Sequence, residues 1–149
     1  MKLIKVDMNK CPHQVHTKKS NHIRINVNTG KVVFTAYLTE ILGLKDKSKV
    51  LFFYDEENTK DWYLKVCGDK EPDAFYVNRK NKSASEISNK RLCRFIYDTL
   101  NTQYQSFNLL VDTKANKDGL YAIITRSIKI TARTSKPYED YNTNEPKAY

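Results

Sequence analysis

Between residues 23 and 30 the chain alternates apolar Ile23, Ile25 and Val27 with polar side chains and then reaches Gly30. This period of two, closed by a turn residue, predicts a strand with one buried face. Residues 31–34 resume the extended pattern. Leu38, Ile41 and Leu42 then fall at helical spacing between Thr35 and Gly43. Threonine can accept a first-turn N–H and glycine can take the left-handed conformation that ends a helix, so the spacing predicts a helix of two to three turns. Residues 49–54 and 62–66 read as two strands joined by the polar loop 55–61.

The same order recurs further on. Residues 74–77 are extended, residues 78–82 form a polar turn, and Leu92, Phe95, Ile96 and Leu100 make the apolar face of a longer helix. Residues 107–111 and 120–124 make a second hairpin around the loop 112–119. Two hairpins, each preceded by a helix and a basic extended segment, predict an internal duplication. The expected organisation is a basic N-terminal arm over 1–22, a first unit over 23–68, a linker over 69–73 that contains Pro72, a second, diverged unit over 74–131, and a disordered tail over 132–149. The fold class that follows is α+β, mainly antiparallel β with two short helices. Its two β-α-β repeats are expected to form an intramolecular pseudo-dimer, a swapped-hairpin-like barrel.

At 149 residues, with 40% apolar and 29% charged side chains, the chain has the composition of a globular domain, which excludes large modular enzymes and collagen-like or mucin-like chains. No apolar run approaches the roughly 18 residues needed to cross a bilayer, and the first residues lack the core of a signal peptide. A soluble, cytoplasmic protein with no membrane partner is expected, in a bacterial cell or encoded by a phage or mobile element acting there. Cys11, Cys67 and Cys93 are odd in number and scattered, so no disulfide framework is expected.

Charge changes the picture more. The net charge of +9 points to a polyanionic partner. Residues 1–31 carry seven positive side chains against one negative, and residues 74–131 carry ten against four, while the stretch between them is net acidic. The basic residues thus fall in two blocks, each at the same place in its unit.

Gly30, Lys31, Val32 and Val33, a short helix ending in Leu42-Gly43-Leu44, a charged turn and a strand from Val50 form a pattern over residues 30–53 that resembles the AbrB/SpoVT swapped-hairpin family. The family commonly has proline where Thr35 stands and glycine where Ser48 stands. Two such units in one chain are similar to the tandem MraZ-like arrangement, here with the match carried by the first unit. The resemblance implies that two units interleave to close one core and that their paired N-terminal hairpins present basic residues to duplex DNA. Carried over to this chain, it gives the DNA-facing role to Arg24 and Lys31, with Lys18 and Lys19, in the first unit. The internal repeat extends that role to Arg79, Lys80 and Lys82 in the second.

Other chemistry finds less support. Cys11, His13, His16 and His22 match no four-ligand zinc spacing, so an exposed arm is preferred to a metal site. Asp55, Glu56, Glu57 and Asp61 offer carboxylates, but they sit in a hairpin loop where charge is the default. No phosphate-cradling or nucleophile motif occurs, so neither cofactor nor enzymatic activity is expected. Cys93 reads as a core residue. Trp62, Tyr63, Tyr76 and Tyr121 lie on expected strands, where packing is the first reading and stacking on bases the second. The sequence therefore supports a DNA-binding regulator or DNA-associated accessory protein, able to form homo-oligomers. Its competitor is a structural or interaction module of a phage or mobile element that assembles through exposed strand edges.

Overall fold

Alternation in the sequence becomes a two-faced sheet in the computed structural model, which describes residues 1–7, 20–80 and 83–129. Strands β1 (His22–Asn26) and β2 (Lys31–Phe34) form a hairpin, followed by helix α1 (Ala36–Leu42) and the hairpin of β3 (Lys49–Tyr54) and β4 (Trp62–Cys67). Next come β5 (Phe75–Tyr76), β6 (Ser85–Ser88), helix α2 (Lys90–Leu100), and the hairpin of β7 (Ser106–Val111) and β8 (Tyr121–Lys129). All eight strands belong to one antiparallel sheet in the order β5-β3-β4-β8-β7-β1-β2-β6. A bridge between Asn78 and Glu86 joins the end of the β5 run to β6, so the sheet is nearly closed and barrel-like.

The interior is filled by one side of each strand: Ile23 and Ile25, Val32 and Phe34, Val50, Trp62 and Leu64, Ile87, Phe107 and Leu109, and Ile123. Register keeps them together, with Ile25 opposite both Val32 and Phe107 and Trp62 opposite Ile123. A one-residue slip would turn each set outward, so burial fixes the pairing.

Both helices have caps that their sequences specify. Thr35 Oγ1 accepts from Leu38 N at 3.3 Å, and Gly43, at φ 65°, donates to the carbonyls of Glu40 and Thr39. In α2, Asn89 Oδ1 accepts from Leu92 N at 2.9 Å, and Asn101 takes the left-handed conformation at φ 53°. Each helix is fastened to the sheet by a polar link. Thr39 and Ser85 join hydroxyls at 2.9 Å in a buried setting, and Trp62 Nε1 donates to Thr99 Oγ1 at 3.1 Å.

Strand β6 has no counterpart in the sequence-based expectations. Its four residues hold one apolar side chain, Ile87, and the strand exists because β2 pairs with it along its whole length. Cys93 is fully buried, as its place among Leu92 and Ile96 predicts, and burial pushes its thiol up to about 12 from 9.0. The native thiol stays protonated where the unfolded one would ionise, so its contribution to stability is complete below pH 9 and is lost between pH 9 and 12. Unfolding midpoints measured across that range should fall less steeply in Cys93→Ala than in the parent chain. Equal slopes would remove Cys93 from the alkaline transition.

Candidate nucleic-acid interface

Because the barrel interior takes every second strand residue, the charged strand residues are left for the solvent face. Of those with described side chains, five are basic, Arg24, Lys31, Lys49, Lys65 and Arg126, and one is acidic, Glu86. One hairpin loop, 55–61, concentrates carboxylates in Asp55, Glu56, Glu57 and Asp61. The strand positions are thus net basic, while the loops carry both signs.

Arg24 stands exposed between buried Ile23 and Ile25, and its Nε donates to Ser106 Oγ at 3.2 Å across the β1–β7 pair. The row through Arg24 continues to Val33 on β2, Glu86 on β6 and Asn78 at the bridge. Lys31 reaches Glu86 from the same surface, Nζ to Oε1 at 3.3 Å, a solvent-exposed pair worth little to stability. Exposed Lys80 lines a shallow hollow of about 210 Å³ with Val33 and Glu86. Arg24, Lys31 and Lys80, drawn from two distant parts of the chain, thus share one surface. Lys18, Lys19 and Lys82 lie outside the described residues, as do Cys11, His13 and His16.

Arg79 is placed differently from its neighbours. Only 14% of its side chain is exposed. Its guanidinium donates to Glu40 Oε1 at 2.6 Å, to the Leu44 carbonyl at 3.0 Å and to the Ser83 carbonyl at 3.3 Å, while its backbone N–H donates to Asp46. This set of bonds fastens the segment before β6 to the end of α1. Arg79→Ala should cost about 1–2 kcal/mol, since the freed Leu44 and Ser83 carbonyls lose a charged donor. A melting point lowered by several degrees, with an unchanged salt slope for any polyanion, is the expected result; the reverse pattern would return Arg79 to the binding surface.

Lys65 and Arg126, which sequence reasoning missed, are also exposed. Lys65 follows buried Leu64 on β4, so the alternation that puts Leu64 inside was itself the signal for an outward lysine. Arg126 lies within the β7–β8 register shift, between Ile124, paired with Leu110, and Lys129, paired with Asn108, which simple alternation does not foresee. Lys49 is occupied, with Nζ on the carbonyls of Asp69 and Glu71 at 2.6 and 3.0 Å.

The four aromatic residues divide between packing and exposure. Trp62 is buried, Tyr121 packs against the core, Tyr63 lies half-buried on the solvent side of β4 opposite Phe53, and Tyr76 is exposed. His22 Nδ1 lies 2.8 Å from Ser20 Oγ. Among the described residues no group of three or more His, Cys, Asp or Glu side chains is arranged to hold a metal ion, and no helix is long and apolar enough to cross a membrane. No family model matches the chain, and neither the curated proteins nor the solved structures contain a match.

Proposed function

We propose that this chain is a DNA-binding regulator or DNA-associated accessory protein that holds nucleic-acid phosphates on the basic solvent face of its sheet. The observation that carries the reading is the shared surface of Arg24, Lys31 and Lys80, drawn from two distant parts of the chain, on a sheet whose outward charged positions are mostly basic. Phosphate neutralisation needs positive side chains gathered on one surface, and Arg24, Lys31 and Lys80 supply them, with Arg126 on β8 and Lys65 on β4 lying further round the barrel. Such a surface reads the backbone, so sequence preference would come from the shape of the duplex or from few base contacts.

The proposal includes an architecture. The halves 23–68 and 74–131 are taken as duplicates that interleave as a pseudo-dimer, in the manner of the swapped-hairpin family that residues 30–53 resemble. Support comes from the connectivity. Each half runs strand, strand, helix, strand, strand, and the first strand of each pairs with the third strand of the other, β1 with β7 and β5 with β3. Exchanging the halves returns the same circular strand order once the Asn78–Glu86 bridge is counted.

The test is fluorescence anisotropy of the full chain with labelled duplex and single-stranded DNA over a range of salt. Binding that weakens steeply as salt rises, with duplex preferred, is the expected result. Absence of binding to either form at low salt would sink the proposal.

A further inference from the structure

Among the described residues, an edge of the sheet is left open beside an aromatic groove. Strand β3 continues to Tyr54, yet β5 pairs with it only at Lys49 and Val50. Asp55 N donates to Asp61 O at 2.9 Å, which sets the odd-numbered residues of β3 as the hydrogen-bonded partners of β4. In an antiparallel ladder the alternate residues then aim their N–H and C=O groups away. Phe52 and Tyr54 therefore present backbone donors and acceptors to the side where β5 has ended. Natural edges are usually protected by lysine, proline or a bulge, and residues 51–54, Leu-Phe-Phe-Tyr, contain no lysine or proline.

The groove beside this edge has a volume of about 360 Å³ and is lined by Phe52, Tyr54, Trp62, Phe75, Leu92 and Phe95, with Asn89 and Arg91 at its border. Tyr54 and Phe95 remain 44% and 47% exposed although their rings approach to 5.5 Å. Phe53, on the other face of the same edge, is 40% exposed. Apolar surface thus flanks the open backbone on both sides.

The chain also carries an apolar segment that no described residue covers. Leu3, Ile4 and Val6 are 84%, 70% and 70% exposed. In an extended strand over residues 1–6, one face would hold Met1, Leu3 and Lys5 and the other Lys2, Ile4 and Val6. Either face can enter the groove while the other lies beside Phe53. Charge complements an antiparallel fit, because the N-terminal amine of Met1 and Lys2 would then lie beside the loop that bears Asp55, Glu56, Glu57 and Asp61.

We propose that residues 1–6 of a second copy of this chain add as a strand to the open edge of β3, seating their apolar side chains over Phe52, Tyr54 and Phe95. Backbone hydrogen bonds to Phe52 and Tyr54 would give affinity, and the groove would select apolar side chains. Reciprocal exchange yields a closed dimer, and one-way exchange yields a chain of copies.

The test is sedimentation analysis of the full chain without nucleic acid, at micromolar to near-millimolar concentration, with emission of Trp62, the single tryptophan, as a local readout. The parent chain should associate with rising concentration and shift its tryptophan emission as it does so. The donor variant Leu3→Asp/Ile4→Asp/Val6→Asp and the acceptor variant Phe95→Asp should each be monomeric with unchanged far-ultraviolet circular dichroism, and mixing them should restore a one-to-one complex. A synthetic peptide of residues 1–7 should dissociate the parent assembly, which keeps the test decisive where Phe95→Asp weakens folding. A monomeric parent chain at every concentration would overturn the proposal. So would an assembly that both variants leave intact, or a monomer whose emission responds to the donor substitutions, since the segment would then dock in its own chain.

Discussion

Gly30→Ala should lower stability by about 2–5 kcal/mol, the largest loss expected from adding a single methyl group to this chain. Gly30 sits at φ 69° in the β1–β2 turn. Left-handed backbone costs a residue with a side chain about 1–2 kcal/mol. Steric crowding adds to this, because a Cβ at Gly30 would lie 2.3 Å from Lys90 Cγ, 2.9 Å from Lys90 Cα and 3.0 Å from Lys90 N. The lysine side chain can swing away, but its backbone cannot, since Asn89 N donates to Gly30 O at 2.7 Å and Asn89 caps α2. The turn of the first hairpin and the start of α2 are thus pressed together, and separating them disturbs both. Gly43→Ala is the matching control. Gly43 has φ 65° but nothing within 4 Å of the added carbon, so it should show only the conformational share. Denaturant unfolding of both variants checks this, and equal losses would mean that the close approach to Lys90 carries no weight. For a domain with a total stability of about 5–15 kcal/mol, the larger loss is enough to leave a measurable unfolded fraction on warming.

Replacing Arg24, Lys31, Lys65, Lys80 and Arg126 together with alanine should reduce DNA affinity by roughly a thousandfold near physiological salt and flatten its salt dependence. Each phosphate contact contributes about 0.9 to the slope of log K against log salt on duplex DNA. Counting four contacts, since Lys65 on β4 lies across the barrel from Lys31 on β2, the slope falls by about 3.6, which converts to about that many decades when extrapolated from molar to decimolar salt. Exposed positions tolerate alanine with little change in stability, so the melting point should move little. Anisotropy titrations at several salt concentrations separate the outcomes. A variant with the parental slope would show that the cations of this face touch no phosphate. The pair Arg79→Ala and Arg24→Ala sharpens the comparison, because the first removes bonds inside the fold and the second removes an exposed cation.

The candidate surface was partly legible in the sequence, and the reason is specific to each residue. Arg24 and Lys31 sit in a hairpin whose alternation is clean, so their outward positions follow from Ile23, Ile25 and Val32 being buried. Arg79 and Lys80 are adjacent cations in one polar turn, and charge alone does not separate a side chain fastened to Glu40 and Leu44 from one left in solvent. Lys65 lies in the net-acidic stretch between the two basic blocks, so counting charge along the chain hid a cation that the strand period exposes.

By itself the sequence determined the local structure, because helix spacing, caps and strand alternation depend on neighbours a few residues away. Thr35 and Gly43 bound α1, Leu92 and Ile96 turn α2 toward the core, and Cys93 is buried, all as periodicity requires. Only the tertiary structure decided what pairs across the chain. That β1 lies against β7, β4 against β8 and β2 against β6, that β6 forms with a single apolar residue, and that β5 stops and leaves Phe52 and Tyr54 open all depend on partners far apart in sequence. Residues so distant leave no period in the sequence. Their pairing is set where the apolar faces of all eight strands can share one interior, and the outer charges fall wherever that solution puts them.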